Sequence, residues 1–153
     1  MNDTFIVEEY PTINPIVSGY AENEQGNYEL SESPWTHTGD GAVHSSANDL
    51  MKWGENFSTA KVGGAELIAK MTQPFPNSTR EGKPIIDYET YGFGLFINHT
   101  LGEISFEHSG GWMGTSTYFM RFPQSKLTIT VLSNRENYDI DLLAAKAAKI
   151  LLN

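Results

Sequence analysis

In the second half of the chain, apolar and polar residues alternate in short runs. Tyr91, Phe93, Leu95 and Ile97 alternate with Gly92, Gly94, Phe96 and Asn98, and Ile104, Phe106 and His108 alternate with Glu103, Ser105 and Glu107. A period of two places successive side chains on opposite faces of a strand. Two more strands are predicted over 115–122 and 126–133, with Tyr118, Met120 and Phe122 on one face of the first and Leu127, Ile129 and Val131 on one face of the second. The connections fall around Thr100 to Gly102, Gly110 to Gly114 and Pro123 to Ser125. Connections this short join antiparallel neighbours, because parallel ones need long crossovers.

Helical spacing flanks this strand block. Ala47, Leu50, Met51, Gly54 and Phe57 predict a helix from about Ala47 to Phe57, with Ser46 as its cap and Asp49 completing a capping-box pattern. Gly54 lies on that stripe, where a second element can approach closely. A shorter helix is predicted from Gly64 to Met71, ended by Pro74 and Pro76. The last element, Asp139 to Leu152, has acids at its start, Lys146 and Lys149 in its later half, and an apolar side of Ile140, Leu143, Ala144, Ala147, Ile150 and Leu151. The fold class read from this order is α+β: an antiparallel meander packed with helices. The divisions are an irregular arm over 1–45, a helical segment over 46–76, strands over 91–134 and a helix over 139–152, together one partial domain over 1–153.

The arm contains Pro11, Pro15, Pro34, Gly19, Gly26 and Gly39 without a sustained period, leaving only short extended pieces such as Ile16-Val17. So long an irregular stretch is unusual in a free-standing domain and suits one that wraps a neighbouring part.

Composition narrows the partners. A formal charge of −9, from 19 acidic and 10 basic residues, repels a phosphate backbone, and there is no basic stripe to offset it. Nucleic acid is thereby excluded as a partner. No apolar run is long enough to span a bilayer, and Met1-Asn2-Asp3-Thr4 does not open an export signal. The absence of cysteine removes disulfide and thiolate chemistry but leaves the compartment open. Hydrophobic residues at 39% and aromatics at 12%, with Trp35, Trp53 and Trp112 among them, describe a chain that packs a core. Trp53 reads as a helix packing residue and Trp35 as either a core anchor or a lining residue.

Chemistry concentrates in Glu107-His108-Ser109-Gly110-Gly111-Trp112-Met113-Gly114. Its three glycines permit close backbone approach and positive φ just after a strand, and their N–H groups can hold an anion or a developing oxyanion. His108 can give a proton or a hydrogen bond beside them. The plainer reading is a glycine-rich hairpin whose histidine packs near Phe106 and Ile104. His37 and His44 bracket Gly39-Asp40-Gly41, but that spacing lacks a recognisable metal geometry, and no metal or other cofactor is expected. Asn2-Asp3-Thr4, Asn56-Phe57-Ser58, Asn77-Ser78-Thr79 and Asn98-His99-Thr100 match the glycosylation pattern and read as chance matches in the absence of an export signal.

In order along the chain, these segments resemble the class C beta-lactamase-related serine hydrolases, which include penicillin-binding D-alanyl-D-alanine peptidases and some esterases. Gly39 to Trp53 resembles the family's glycine-rich segment entering a helix, Tyr91-Gly92-Phe93-Gly94-Leu95 its first late strand, and Val131-Leu132-Ser133-Asn134-Arg135 the strand end before its terminal helix. His108-Ser109-Gly110 resembles the third active-site motif in its His-x-Gly form. The resemblance implies the C-terminal portion of such a fold, in which His108 lines the substrate cleft, Ser109 hydrogen-bonds substrate and the Gly111 N–H forms half of an oxyanion hole. Gly110, Trp112, Asn134 and Arg135 would complete the lining.

The departures are equally informative. The family places its catalytic serine and lysine in an S-x-x-K motif at a helix start, followed by Tyr-x-Asn, because a lysine one turn away activates the hydroxyl. This sequence contains no Tyr-x-Asn, and its S-x-x-K string, Ser58-Thr59-Ala60-Lys61, follows the first helix and runs into Gly63-Gly64. The expectation is a C-terminal fragment of a serine hydrolase, inactive alone, whose parent acts on a beta-lactam, a D-Ala-D-Ala peptide or an ester and is extracytoplasmic or otherwise. Its partner would be the missing N-terminal half, or a second copy through self-association. The alternative is a non-catalytic binding or assembly module of the same fold. A third reading makes His108 a free-standing acid-base group; the sequence shows no recognisable carboxylate or nucleophile partner for it and leaves Glu107 and Asp40 open.

Overall fold

The structure, a computed structural model, describes residues 1–6, 17–31, 38–39, 41–83 and 86–152. Trp35, His37, Asp40 and the first residue of the Ile16-Val17 piece lie outside the described residues. The centre is a six-stranded sheet in the order β10-β9-β8-β7-β6-β5. Its strands are β5 (Arg80–Lys83), β6 (Ile86–Tyr91), β7 (Phe96–Thr100), β8 (Glu103–Trp112), β9 (Thr115–Phe122) and β10 (Leu127–Ser133). Every neighbour is antiparallel and adjacent in sequence, a simple meander. Two small ribbons join the segment before it: β1 (Phe5–Ile6) pairs with β4 (Val43–His44), and β2 (Tyr20–Glu22) pairs with β3 (Tyr28–Leu30).

The run expected as one strand over Tyr91 to Ile97 is two strand ends and a turn. β6 stops at Tyr91, which pairs with Phe96 at the start of β7. Between them the Gly92 N–H bonds the Leu95 carbonyl at 2.8 Å, and Gly94 takes φ +69°. Glycine at the positive-φ position lets the chain reverse within an apparently alternating stretch. The sheet therefore extends back to Arg80, through a polar segment that carried no period in the sequence.

Helices cover both faces. On one side α1 (Ala47–Thr59) and α2 (Gly64–Met71) pack Phe57 and Ile68 against Leu95, Ile97, Phe106 and Phe119, with Leu50, Trp53 and Met71 at the margin. On the other, α3 (Ile140–Leu151) sets Ala144 and Ala148 against Met120, Phe122 and Ile129. β9 alternates between the two clusters, as a period of two requires. Gly54 carries out its expected function: a Cβ there would collide with the Thr128 side chain of β10.

Two predicted helix stripes are narrower than expected. Met51 is 44% exposed, and α1 buries Gly54 and Phe57 with Leu50 and Trp53 partly covered. On α3, Leu143, Ile150 and Leu151 face out, the last two at 77% and 60% exposure, while Ile140, Ala144 and Ala148 are buried. The small residues let α3 lie close to the sheet, and that close approach leaves its larger apolar side chains beyond the contact. Among the described residues, no helix is long and apolar enough to cross a membrane. Asn56 and Asn98, two of the glycosylation matches, are 5% and 2% exposed, which leaves no room for a glycan.

Ser46 caps α1 by accepting the Asp49 N–H at 3.2 Å. Asp49 does not turn back to close a capping box. Its carboxylate accepts the Asp3 N–H at 2.8 Å, the Thr4 hydroxyl at 2.9 Å and Lys52 Nζ at 2.7 Å, tying the first residues to the helix start. The Lys52 hydrogen bond, opposed by desolvation, lowers the Asp49 pKa from 3.8 to about 2. The folded value lies below the unfolded one, so this contribution is complete above pH 3.8 and is lost as pH falls towards 2. Acid unfolding followed by circular dichroism is expected to show that dependence, and Asp49→Asn to remove it while lowering the neutral-pH melting temperature. An identical acid limb in the variant would contradict the assignment.

Candidate active-site edge

The geometry of the His108 segment follows from its two flanking turns. Leu101 and Gly102 (φ +52° and +85°) form a two-residue loop between Thr100 and Glu103, and Met113-Gly114 forms another between Trp112 and Thr115. In a two-residue hairpin the flanking pair exchanges both backbone hydrogen bonds, and the bonded pairs then alternate. Counting from the first loop, Glu103, Ser105 and Glu107 bond to β7; counting from the second, Trp112, Gly110 and His108 bond to β9. The two counts interlock without conflict. Ser109 and Gly111 therefore direct their N–H and C=O groups away from β9, on the side where β7 has already ended at the Phe96–Glu107 pair. Among the described residues no strand pairs with β8 beyond Glu107 on that side. An open strand edge of this kind presents donors and acceptors to a ligand.

The glycine run is thus strand rather than the connection expected over Gly110 to Gly114. Pairing with β9 continues to Trp112–Thr115, and of the three glycines only Gly114 has positive φ, at +73°. Gly110 is needed for space, because a Cβ would strike Thr117 Oγ1, whereas nothing lies within 4 Å of a Cβ on Gly111. Ser109, Gly111 and the half-exposed Trp112 border an open cleft of about 550 Å³, lined also by their β9 neighbours Thr115 to Thr117 and by residues of the Glu136 to Asp141 segment.

His108 is exposed, and its Nδ1 donates to the Ser109 carbonyl at 2.5 Å. Nε2 is 3.3 Å from the Tyr91 hydroxyl, and the ring lies against Phe96 with centroids 5.7 Å apart. Tyr91 and Phe96 were not singled out as site residues in the sequence, although the Tyr-Gly-Phe-Gly string marks their turn.

Asn134 and Arg135 lie in a separate joint. Asn134 Nδ2 donates to the Ser18 carbonyl at 3.1 Å. Arg135 Nη2 meets Glu22 at 2.7 Å, and its guanidinium carbon is 5.2 Å from the Tyr28 ring centroid and 5.4 Å from that of Tyr138. The Tyr20 N–H is shared between the Gly114 and Asn134 carbonyls at 3.2 and 3.0 Å, while Glu136 Oε2 accepts from Gly114 N–H and Ser31 Oγ at 3.1 Å each. The structure therefore brings His108, Ser109, Gly110, Gly111 and Trp112 together on one strand. Asn134 and Arg135 fasten the β2–β3 ribbon to the end of β10, while the Tyr20 N–H and Glu136 tie it to the tip of the β8–β9 hairpin at Gly114.

Ser58, the serine of the S-x-x-K string, is in the last turn of α1 and accepts from Arg121 Nη2 at 2.6 Å. Ala60, with φ +49°, ends the helix between Ser58 and Lys61, so Lys61 is not one helical turn above the serine. No group of three or more His, Cys, Asp or Glu side chains able to hold a metal occurs among the described residues.

The Beta-lactamase family model matches residues 1–152. No curated protein matches the sequence. An octameric penicillin-binding protein homologue from Pyrococcus abyssi superposes with a TM-score of 0.83 at 26% identity, covering 99% of this chain and 34% of that one. A penicillin-binding protein from Bacillus halodurans gives 0.70 at 22% identity over 86% of this chain and 40% of that one. A D-stereospecific amidohydrolase from a Streptomyces species gives 0.66 at 14% identity over 99% and 44%. The chain thus spans between a third and a half of the length of these solved structures. With the match running over nearly every residue, the chain belongs to the beta-lactamase family.

Proposed function

We propose that this chain supplies the His-x-Gly side of a serine-hydrolase cleft and no nucleophile. The observation that carries the reading is the open edge of β8, where the Ser109 and Gly111 backbone groups point away from β9 beside an exposed His108. In this reading His108 lines the substrate, Ser109 hydrogen-bonds it, and the Gly111 N–H forms half of an oxyanion hole. Gly110 and Trp112 shape the lining, while Asn134 and Arg135 act indirectly, by holding the β2–β3 ribbon that packs on Gly114. The parent enzyme would acylate a serine with a beta-lactam, a D-Ala-D-Ala peptide or an ester. The complementary half would provide the S-x-x-K and Tyr-x-Asn groups. Ser58 is a poor substitute, being hydrogen-bonded to Arg121 at the wrong end of its helix. The purified chain is expected to show no turnover of nitrocefin or p-nitrophenyl esters. Turnover abolished by Ser58→Ala with the fold retained would overturn the reading.

A second reading, a binding or assembly module, is favoured by one observation. Leu142, Leu143, Ile150 and Leu151 of α3 are between 43% and 77% exposed, a row of apolar side chains suited to burial against another surface. The octameric state of the Pyrococcus abyssi homologue is in keeping with self-assembly of related chains. Light scattering on the isolated chain is expected to show association, and a stable monomer at high concentration would count against this reading.

A further inference from the structure

Tyr91 does more than end a strand. Its backbone is fixed on both sides: its N–H donates to Ser78 Oγ at 3.1 Å, and its carbonyl accepts from the Phe75 N–H at 2.8 Å and Ser78 Oγ at 3.3 Å. Gly92, the next residue, lies tight against the end of α2, where a Cβ would meet the Met71 and Gln73 carbonyls at 2.8 and 3.0 Å. Phe96 meets the Tyr91 ring edge-to-face, with centroids 4.8 Å apart and planes at 72°. Held in this way, the phenol reaches His108 Nε2 where β8 loses its β7 neighbour.

The proton positions follow from what each partner can do. A carbonyl oxygen only accepts, so His108 Nδ1, at 2.5 Å from the Ser109 carbonyl, carries the hydrogen. In the neutral ring Nε2 is then an acceptor, and the Tyr91 hydroxyl is its donor. We propose that Tyr91 is the positioning residue of the His108 edge, fixing the imidazole as the Nδ1–H tautomer. Two effects on the edge follow. The Ser109 carbonyl is engaged by the ring, so the free strand edge is weighted towards its N–H donors. The Nε2 lone pair accepts from a side chain of this chain, the Tyr91 hydroxyl.

The inference rests on the cleft reading only for its consequence, because the experiment reads the ring itself. In uniformly 15N-labelled protein, two-bond 1H–15N correlation at a pH where the imidazole is neutral is expected to show His108 as Nδ1–H, with assignment from the loss of its signals in His108→Gln. Tyr91→Phe keeps the ring packing and removes the donor, and is expected to shift the population towards Nε2–H. Ser78→Ala, which loosens the Tyr91 backbone, is expected to cause a smaller change in the same direction. Nε2–H as the main wild-type tautomer, or an unchanged His108 spectrum in a folded Tyr91→Phe protein, would overturn the proposal. Neither result would bear on whether the edge binds an acyl substrate, and a failure of the cleft reading would leave the tautomer measurement standing.

Discussion

Gly114→Ala is expected to lower the unfolding free energy by about 2–5 kcal/mol, combining the cost of an alanine in the left-handed region with overpacking against backbone. Gly114 has φ +73°, and a Cβ there would be 2.5 Å from the Ser31 carbonyl oxygen and 2.6 Å from Gly19 Cα. Neither neighbour is the flexible end of a side chain, so relief requires the β2–β3 ribbon to lift from the hairpin tip. Chemical denaturation measures the loss, and hydrogen exchange locates it: the Tyr20 amide, shared between Gly114 and Asn134, and the Glu136 amide, bonded to the Tyr20 carbonyl, should lose protection first. Gly111→Ala is the matched control, since nothing lies within 4 Å of its Cβ and its φ is not positive. It should leave stability almost unchanged. An equally mild effect at Gly114 would mean that the ribbon is not docked on the tip in solution.

The contrast between these two glycines also marks the limit of what the sequence made legible. Three glycines close to a histidine identified the place but not their separate functions. Only pairing with β9 shows that Gly110 is needed for space beside Thr117, Gly111 faces an open edge and Gly114 makes the turn. Where one periodicity dominated, as in β9, β10, α1 and α2, the elements were readable because burial on one face sets the pattern. The 91–97 run misled because a turn with glycines at every second position imitates strand alternation. α3 misled in the opposite way: of the apolar side read as Ile140, Leu143, Ala144, Ala147, Ile150 and Leu151, Ile140 and Ala144 are buried, but close packing of the small residues leaves Leu143, Ile150 and Leu151 outside the contact. Tyr91 was missed because its contact with His108 is made across a strand end, a juxtaposition that no linear spacing encodes.

Alternation on β8 also concealed a buried carboxylate, and Glu107→Ala is expected to cost about 3–5 kcal/mol, the range for breaking a buried, fully hydrogen-bonded charge site. Glu107 is 1% exposed and stands on the α3 side of the sheet opposite Met120. Its oxygens accept from Thr100 Oγ1 at 3.1 Å, from Ser105 Oγ, and from the Tyr118 hydroxyl at 2.6 Å. Truncation leaves a cavity and takes the acceptor from the Thr100 and Tyr118 hydroxyls, while Ser105 Oγ keeps Thr100 Oγ1 at 2.8 Å, at the residue immediately before His108. Tyr118→Phe removes a single donor to the charge and should cost about 1.5–3 kcal/mol. The double variant should lose less than the sum, because the two changes break one shared bond. The same pair sets an alkaline limit. Burial, reinforced by the Glu107 carboxylate, holds the Tyr118 hydroxyl well above its ordinary value of 10.0. The unfolded chain releases that proton first, so the contribution is complete below pH 10 and declines as pH rises beyond it. Denaturation midpoints measured from pH 8 to 11 should therefore fall less steeply in Tyr118→Phe than in the wild-type chain. Parallel slopes would show that the phenol titrates freely and that Glu107 is held by Thr100 and Ser105 alone.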